Sequence, residues 1–326
     1  MRLATIKPRE ASNRDGDLVI VSADGKKAAY ADSADIFSLM EALENWKTAS
    51  PRLQELSLAL DRGTLNGSFA FNLDNCLAPL PRAAGFYDAS AFLSHVMRAR
   101  RARGDEMPES AKKTPLMYQG VSDNLLAWNA PLDIMDPQYG ADFEGEFAAI
   151  TVDMPKGTPA EKAGDYIALF TLFNDITFRE LIKTELPTMF GFLQSKPNSS
   201  FAPIVVTPDE LGKAWDGKRI HGPIKVEWNG QLFGQPDGSE MHFTMGDLIA
   251  HAGRTRPLSA GSIIGTGTIS NADAARGFAC LTEARFQEIL DVGAPKTPWL
   301  KKGDKVKIDY ILDGKSVFGK IDQVAK

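Results

Sequence analysis

The chain has 326 residues, 43% hydrophobic and 24% charged, enough apolar material for roughly two globular domains at about 150 residues each. A net charge of −5 and a pI near 5.5 argue against a polyanion such as nucleic acid as partner, because its backbone demands a basic surface. The two cysteines, Cys76 and Cys280, are far apart and flanked by apolar residues, which excludes a disulfide framework or a thiolate metal site and reads as buried free thiols in a reducing compartment.

The first residues, "MRLATIKPREASNRDGD", carry charge at Arg2, Lys7 and Arg9 and lack an apolar h-region, and no run has the length of a membrane span. The expectation is a cytoplasmic protein with no membrane partner. "RLATI", "DLVIVSADG" and "KKAAYA" read as short strands broken at Gly and Asp turns. Two amphipathic helices follow. "SADIFSLMEALENW" offers Ser33 as N-cap, and "SPRLQELSLALDRG" offers Ser50 as cap, Pro51 at the first helical position and Gly63 as terminator. Residues 1–75 are therefore expected to form a small N-terminal α+β domain, and residues 76–326 a second domain.

That second part is dominated by short strands and turns: "EGEFAAITVD", "DYIALFTLFNDITF", "PIVVTP", "IKVEWNGQLFG", "SIIGTGTIS" and "KVKIDYILDGKSVFGKI". Such spacing predicts an α+β, β-rich body, antiparallel or mixed, with few helices. No internal repeat or low-complexity segment stands out.

Within "DFEGEFAAI", an extended backbone projects Glu144 and Glu146 to one face. Unpaired carboxylates on a half-buried face are costly unless a cation or ligand compensates them. Asp175 ends the apolar run "YIALFTLFND", and Asp88 lies upstream in "FYDASAFLSHV", seven residues before His95. Asp88, Glu144, Glu146 and Asp175 together make an all-oxygen donor set suited to a hard cation such as Mg²⁺, Mn²⁺ or Ca²⁺ and unlike a zinc site. The same residues also fit a solvated strand face with Asp175 capping a turn, and spacing alone leaves both open. His95 taken singly fits the exposed face of a helix; His221, His242 and His251 carry no motif.

The segments "YDASAFLSHV", "MYQGVSDN", "DFEGEFAAI", "FTLFNDITFRE", "LQSKPNSSFAPIVV", "VEWNGQL" and "GSIIGTGTISN" occur in an order and at intervals that resemble the fumarylacetoacetate hydrolase superfamily, over roughly residues 80–326. Each is weakly specific; the ordered series is strong. The resemblance implies a mixed β-roll or sandwich catalytic domain behind the small N-terminal domain. It also implies a homodimer and one divalent cation, Mg²⁺, Mn²⁺ or Ca²⁺, held by Asp88, Glu144, Glu146 and Asp175.

The activity so implied is hydrolysis of a carbon–carbon bond in a β-diketo acid, fumarylacetoacetate first, in aromatic amino-acid (tyrosine) breakdown. The alternatives are acylpyruvate hydrolysis, or decarboxylation, isomerisation or hydration of a related keto acid. By the same resemblance His95 is the base that activates water, Glu283 orients it, and Lys196 is a fixed charge beside developing negative charge on substrate. Tyr118 and Thr268 contact substrate, and Arg101 or Arg103 binds a substrate carboxylate. Glu283 taken alone fits a surface ion pair with Arg285 or Arg276 equally well. The chain departs from the family pattern at Ser199-Ser200, Ile176 and Ile182, which bears on the substrate more than on the chemistry.

Overall fold

A computed structural model describes residues 1–326. Its strands are β1 (Arg2–Ile6), β2 (Asp17–Val21), β3 (Lys27–Tyr30), β4 (Phe69–Ala70), β5 (Gly85–Ala89), β6 (Met117–Gln119), β7 (Ala141–Asp142), β8 (Gly145–Thr151) and β9 (Ile167–Asn174). Then come β10 (Thr177–Phe178), β11 (Ser200–Phe201), β12 (Ile204–Val206), β13 (Ile224–Trp228), β14 (Gln231–Gly234), β15 (Ser262–Gly265), β16 (Lys305–Leu312), β17 (Lys315–Ser316) and β18 (Ile321–Val324). The helices are α1 (Leu39–Glu44), α2 (Trp46–Asp61), α3 (Leu93–Ala102), α4 (Ala160–Ala163), α5 (Arg179–Glu185), α6 (Met245–Ala252) and α7 (Leu281–Val292).

Most of the chain organises around one large sheet of order β4-β3-β2-β1-β12-β9-β8-β15-β5-β6, with β11 also on β9. The N-terminal meander is continuous with it: β1 pairs antiparallel with β12, Leu3 opposite Val205. The sheet is buried on both faces, which is why β8 and β9 read as unbroken apolar runs rather than alternating ones. Phe147 and Ala149 point to one core, shared with Val226, Ile308 and Tyr310 of a second sheet built from β13, β14, β16, β17 and β18. Ala148 and Ile150 point to the other, shared with Leu39, Leu43, Leu53 and Leu60 of α1 and α2.

Local departures from the sequence expectations have clear causes. Helix α1 starts at Ser38 rather than Ser33, because the Ser38 hydroxyl accepts the Glu41 N–H at 3.1 Å while Asp35 sits in the left-handed region and stops the preceding turn. Helix α2 begins at Trp46, so Ser50 and Pro51 lie inside it; Asn45, the single residue between the two helices, accepts the N–H groups of Thr48 and Ala49 and nucleates a turn ahead of the proline. The C-terminal part holds more helix than the strand-dominated reading expects, with α3, α6 and α7 packed beside the sheets. Asn229-Gly230, both at positive φ, closes the β13–β14 hairpin as the "NG" dipeptide demands. Cys76 and Cys280 are both free and buried, and no helix is long and apolar enough to cross a membrane.

Candidate metal and catalytic site

Asp88 stands on β5 and Glu146 on β8, two strands separated by β15, while Asp175 follows the last residue of β9. Strand β15 runs parallel to β5 with Gly265 opposite Asp88, and antiparallel to β8 with Gly265 opposite Ala148. A Cβ at Gly265 would lie 2.3 Å from Asp88 Oδ1 and 2.7 Å from Phe173 Cζ, so the absent side chain is what lets the Asp88 carboxylate lean across β15. Two residues on, Gly267 at φ +78 turns its N–H onto Asp88 Oδ1 at 3.1 Å. As a result one carboxylate oxygen from each of Asp88, Glu146 and Asp175 lies within 4.8 Å of the other two.

These three groups are almost sealed from water, at 4%, 0% and 0% exposure. Phe86, Phe173 and Phe201 pack edge-on and stacked against one another, and the Phe173 ring comes up to Gly265 beside Asp88 Oδ1, so water on that side does little to screen the repulsion. Burial, then the nearby charge of Asp175, pushes the Asp88 carboxyl up to about 7. Burial and the charges of Asp88, Glu144 and Asp175 hold Glu146 well above the usual carboxylate range. Neither oxygen of Glu146 has a hydrogen-bond donor in the protein, and a proton shared with Asp88 is its one internal remedy. An orphaned buried carboxylate beside two others, all oxygen donors, fits a hard divalent cation.

Glu144, expected as a fourth ligand, stands apart from that trio. Its Oε1 accepts Arg179 Nη2 at 2.7 Å, and its Oε2 accepts Lys196 Nζ at 2.6 Å and the Thr177 hydroxyl at 3.2 Å. Burial opposes ionisation there, but Arg179 and Lys196 outweigh it and hold Glu144 far below the ordinary range. Lys196 is buried and its ammonium is fully engaged by Glu144, Asp175 and, at 2.8 Å, the Thr177 hydroxyl. The Tyr118 hydroxyl donates to Asp175 Oδ2 at 2.8 Å and the Ser199 hydroxyl to Oδ1 at 2.6 Å, so Ser199 serves the carboxylate set directly.

Across the same cavity of about 620 Å³, His95 on α3 faces Glu283 in the first turn of α7, with Nδ1 3.6 Å from Oε2. The start of α7 is capped from outside. Asp142 accepts the N–H groups of Leu281 and Thr282 at 2.8 and 3.0 Å, while Cys280 at the N-cap position makes no side-chain cap. The partner of Glu283 is Arg98, not Arg285 or Arg276. Arg285 instead bonds the Thr297 carbonyl, and Arg276 lies 3.8 Å from Asp237.

The cavity wall carries Asp88, His95, Tyr118, Glu144, Glu146, Lys196 and Thr268, whose hydroxyl is buried without a partner. Arg100 and Arg103 line the cavity; Arg101 is exposed and does not. Ile182, Leu186, Met189 and Phe192 make an apolar side. The other histidines lie elsewhere: His221 Nε2 meets Asp216 at 2.8 Å and His242 Nε2 meets the Lys112 carbonyl at 2.9 Å. Arg98, Asp142 and Arg179 were not singled out from sequence as site residues. The usable signals were helical spacing for Arg98, one turn after His95, and the acid-rich run itself for Asp142.

Residues 86–323 match the family described as the C-terminal part of fumarylacetoacetate (FAA) hydrolase, and residues 1–82 match fumarylacetoacetase N-terminal domain 2. An uncharacterized protein of Pyrococcus abyssi is 30% identical over 197 residues, 58% of this chain and 83% of that protein. The oxaloacetate tautomerase YisK of Bacillus subtilis is 28% identical over 247 residues, 74% of this chain and 72% of that one. The crystal structure of a maleylpyruvate hydrolase from a Sphingobium species, in complex with manganese(II) and pyruvate, shares the fold with a TM-score of 0.65 at 15% identity, covering 100% of this chain and 99% of that one. With both of its parts matched and the fold shared end to end, the chain belongs to the fumarylacetoacetate hydrolase family.

Proposed function

We propose that the chain is a divalent-cation-dependent hydrolase that breaks a carbon–carbon bond of a β-diketo acid, with fumarylacetoacetate, split into fumarate and acetoacetate, or a related acylpyruvate as substrate. The observation that supports it is the joint opening on one cavity of Asp88 and Glu146, buried carboxylates with no salt-bridge partner beside the Lys196-bound Asp175, and of His95, which faces Glu283.

Asp88, Glu146 and Asp175, with Glu144 beside them, would hold Mg²⁺, Mn²⁺ or Ca²⁺, which when bound polarises the substrate's keto oxygens and favours the enolate as leaving group. His95 takes the proton of the attacking water as the water's oxygen adds to the acyl carbonyl. Glu283 keeps the remaining ring proton on Nδ1 and balances the imidazolium that forms. The carbon–carbon bond then breaks, its electron pair leaves with the keto-acid fragment, and a proton completes the second acid. Arg103 and Arg100 at the cavity wall hold a substrate carboxylate. The Ile182, Leu186, Met189 and Phe192 side takes the carbon chain and keeps bulk water out. On this reading the protein acts as a homodimer in aromatic amino-acid breakdown.

A second reading, keto–enol tautomerisation, draws support from the similarity to YisK over 74% of the chain, because a histidine base serves enolisation without water attack. Incubation of fumarylacetoacetate, acetylpyruvate and oxaloacetate with the protein and Mg²⁺ or Mn²⁺ separates the two: hydrolysis yields two acids, tautomerisation none. His95→Ala is expected to abolish turnover and leave Mn²⁺ binding intact by calorimetry. Full turnover in that variant overturns the base assignment, and no turnover of any diketo acid by the wild type overturns the hydrolase reading.

A further inference from the structure

Arg98 lies one turn beyond His95 on α3 and is only 6% exposed. Every bond of its guanidinium is internal. Nη1 donates to Glu283 Oε1 and, at 3.4 Å, to the Ser270 hydroxyl; Nε donates to Gln287 Oε1 at 2.9 Å; Nη2 donates to the carbonyls of Asn271 and Ala272 at 3.0 and 3.4 Å. The Ser270 hydroxyl also donates to Glu283 Oε1.

The two oxygens of Glu283 are therefore unequal. Oε1 has two donors, one of them charged, and Oε2 has none and looks at His95 Nδ1 across 3.6 Å. A rigid planar fork anchored on a helix and a loop fixes both the position and the rotation of the carboxylate it grips. The remaining lone acceptor faces His95 Nδ1, with the weaker Cys280 thiol donor within 4.8 Å in the same cluster, and a small closure onto Nδ1 makes a hydrogen bond. The same fork ties α3, α7 and the loop following Thr268, and α3 and Thr268 line the cavity.

We propose that Arg98 is a positioning residue: by saturating one oxygen of Glu283 it presents the other to His95 and so selects the imidazole tautomer that carries its proton on Nδ1. The inference rests on the reading of His95 as the base. A plain staple between α3 and α7 would affect stability and leave the tautomer alone.

Two measurements on the full-length protein test it. In steady-state kinetics with acetylpyruvate and saturating Mn²⁺, Arg98→Met is expected to lower kcat about 10–100-fold with KM and Mn²⁺ affinity unchanged, as for other residues that orient a site from behind. Arg98→Lys is expected to recover part of that loss, and the Arg98→Met, Glu283→Gln double variant to be no slower than Glu283→Gln alone. In imidazole NMR, which needs no turnover, the His95 resonances, identified by their loss in His95→Asn, should report the Nδ1–H tautomer in the wild type and an averaged pair in Arg98→Met. Losses in kcat that multiply in the double variant, or an unchanged His95 tautomer, overturn the proposal. If Arg98→Met does not fold, Arg98→Lys, which keeps the charge and loses the fork, carries the same NMR expectation. Activity surviving in His95→Ala would sink the base assignment while the tautomer result still decides the role of Arg98.

Discussion

Asp142 Oδ1 accepts the backbone N–H of Leu281 at 2.8 Å, a bond between β7 and the first turn of α7. The other oxygen of the same carboxylate takes the Thr282 N–H and Arg179 Nε. One fully buried side chain thus aligns the helix that carries Glu283 and one of the two cations that neutralise Glu144. Asp142→Ala is expected to destabilise the protein by about 3–5 kcal/mol, the cost of breaking a buried ion pair, with lost helix capping on top. Chemical denaturation checks this. A change under about 1 kcal/mol would mean the cap and the pair contribute little.

Gly265→Ala puts a methyl group where Asp88 Oδ1 and the Phe173 ring now lie. Overpacking of this kind costs about 1–3 kcal/mol, and the flexible partner that yields is the carboxylate. Weaker Mn²⁺ binding by calorimetry is expected along with the lower stability. Unchanged affinity would place Asp88 outside the cation's reach.

Stability should depend on pH in a direction set by the carboxylate cluster. In protein stripped of cations, Asp88 at about 7 and Glu146 well above its usual value both hold protons in the folded state that the unfolded chain releases. Their contribution is fully present below the ordinary carboxylate range and is lost as pH rises through the folded-state values. The melting temperature in EDTA is therefore expected to fall between about pH 5 and about pH 8, and excess Mn²⁺ to cancel the fall. A profile in EDTA that rises with pH would contradict the cluster's electrostatics.

Arg103 and Arg101 should separate cleanly. Arg103→Ala is expected to raise KM for a dicarboxylate about tenfold or more, with less effect on a substrate that lacks the second carboxylate. Arg101→Ala, at an exposed position off the cavity, should change neither kinetics nor stability beyond about 0.5 kcal/mol. Equal effects of the two would remove Arg103 from the binding role.

Much of this was legible in the sequence. Apolar runs bounded by Gly and Asp mark β1 to β3, β8 and β9, and the alternation in "EGE" puts Glu146 on the face where Asp88 and Asp175 meet it. Helix starts were harder, because Ser33 and Ser38 both offer a hydroxyl and the decision rests on Glu41 three residues after Ser38. The interval alone offers Arg101 and Arg103 equally, and the helical period separates them, grouping Arg103 and Arg100 with Val96 and Ala99 on the cavity side. Sorting Glu144 from Glu146 was beyond reach, because the two differ by Arg179 and Lys196, cations supplied from later segments of the chain.

The placement of β15 has a consequence for biogenesis. Asp88 and Glu146 emerge early from the ribosome, yet their strands touch only through a segment translated long afterwards. A nascent chain halted before Ser262 already carries Asp88, Glu144, Glu146 and Asp175 but lacks the strand that sits between those of Asp88 and Glu146. Capture of the ion is therefore expected late in synthesis, once this non-local pairing has formed. C-terminal truncations that remove β15 should accordingly leave a chain blind to Mn²⁺ despite an intact complement of acids.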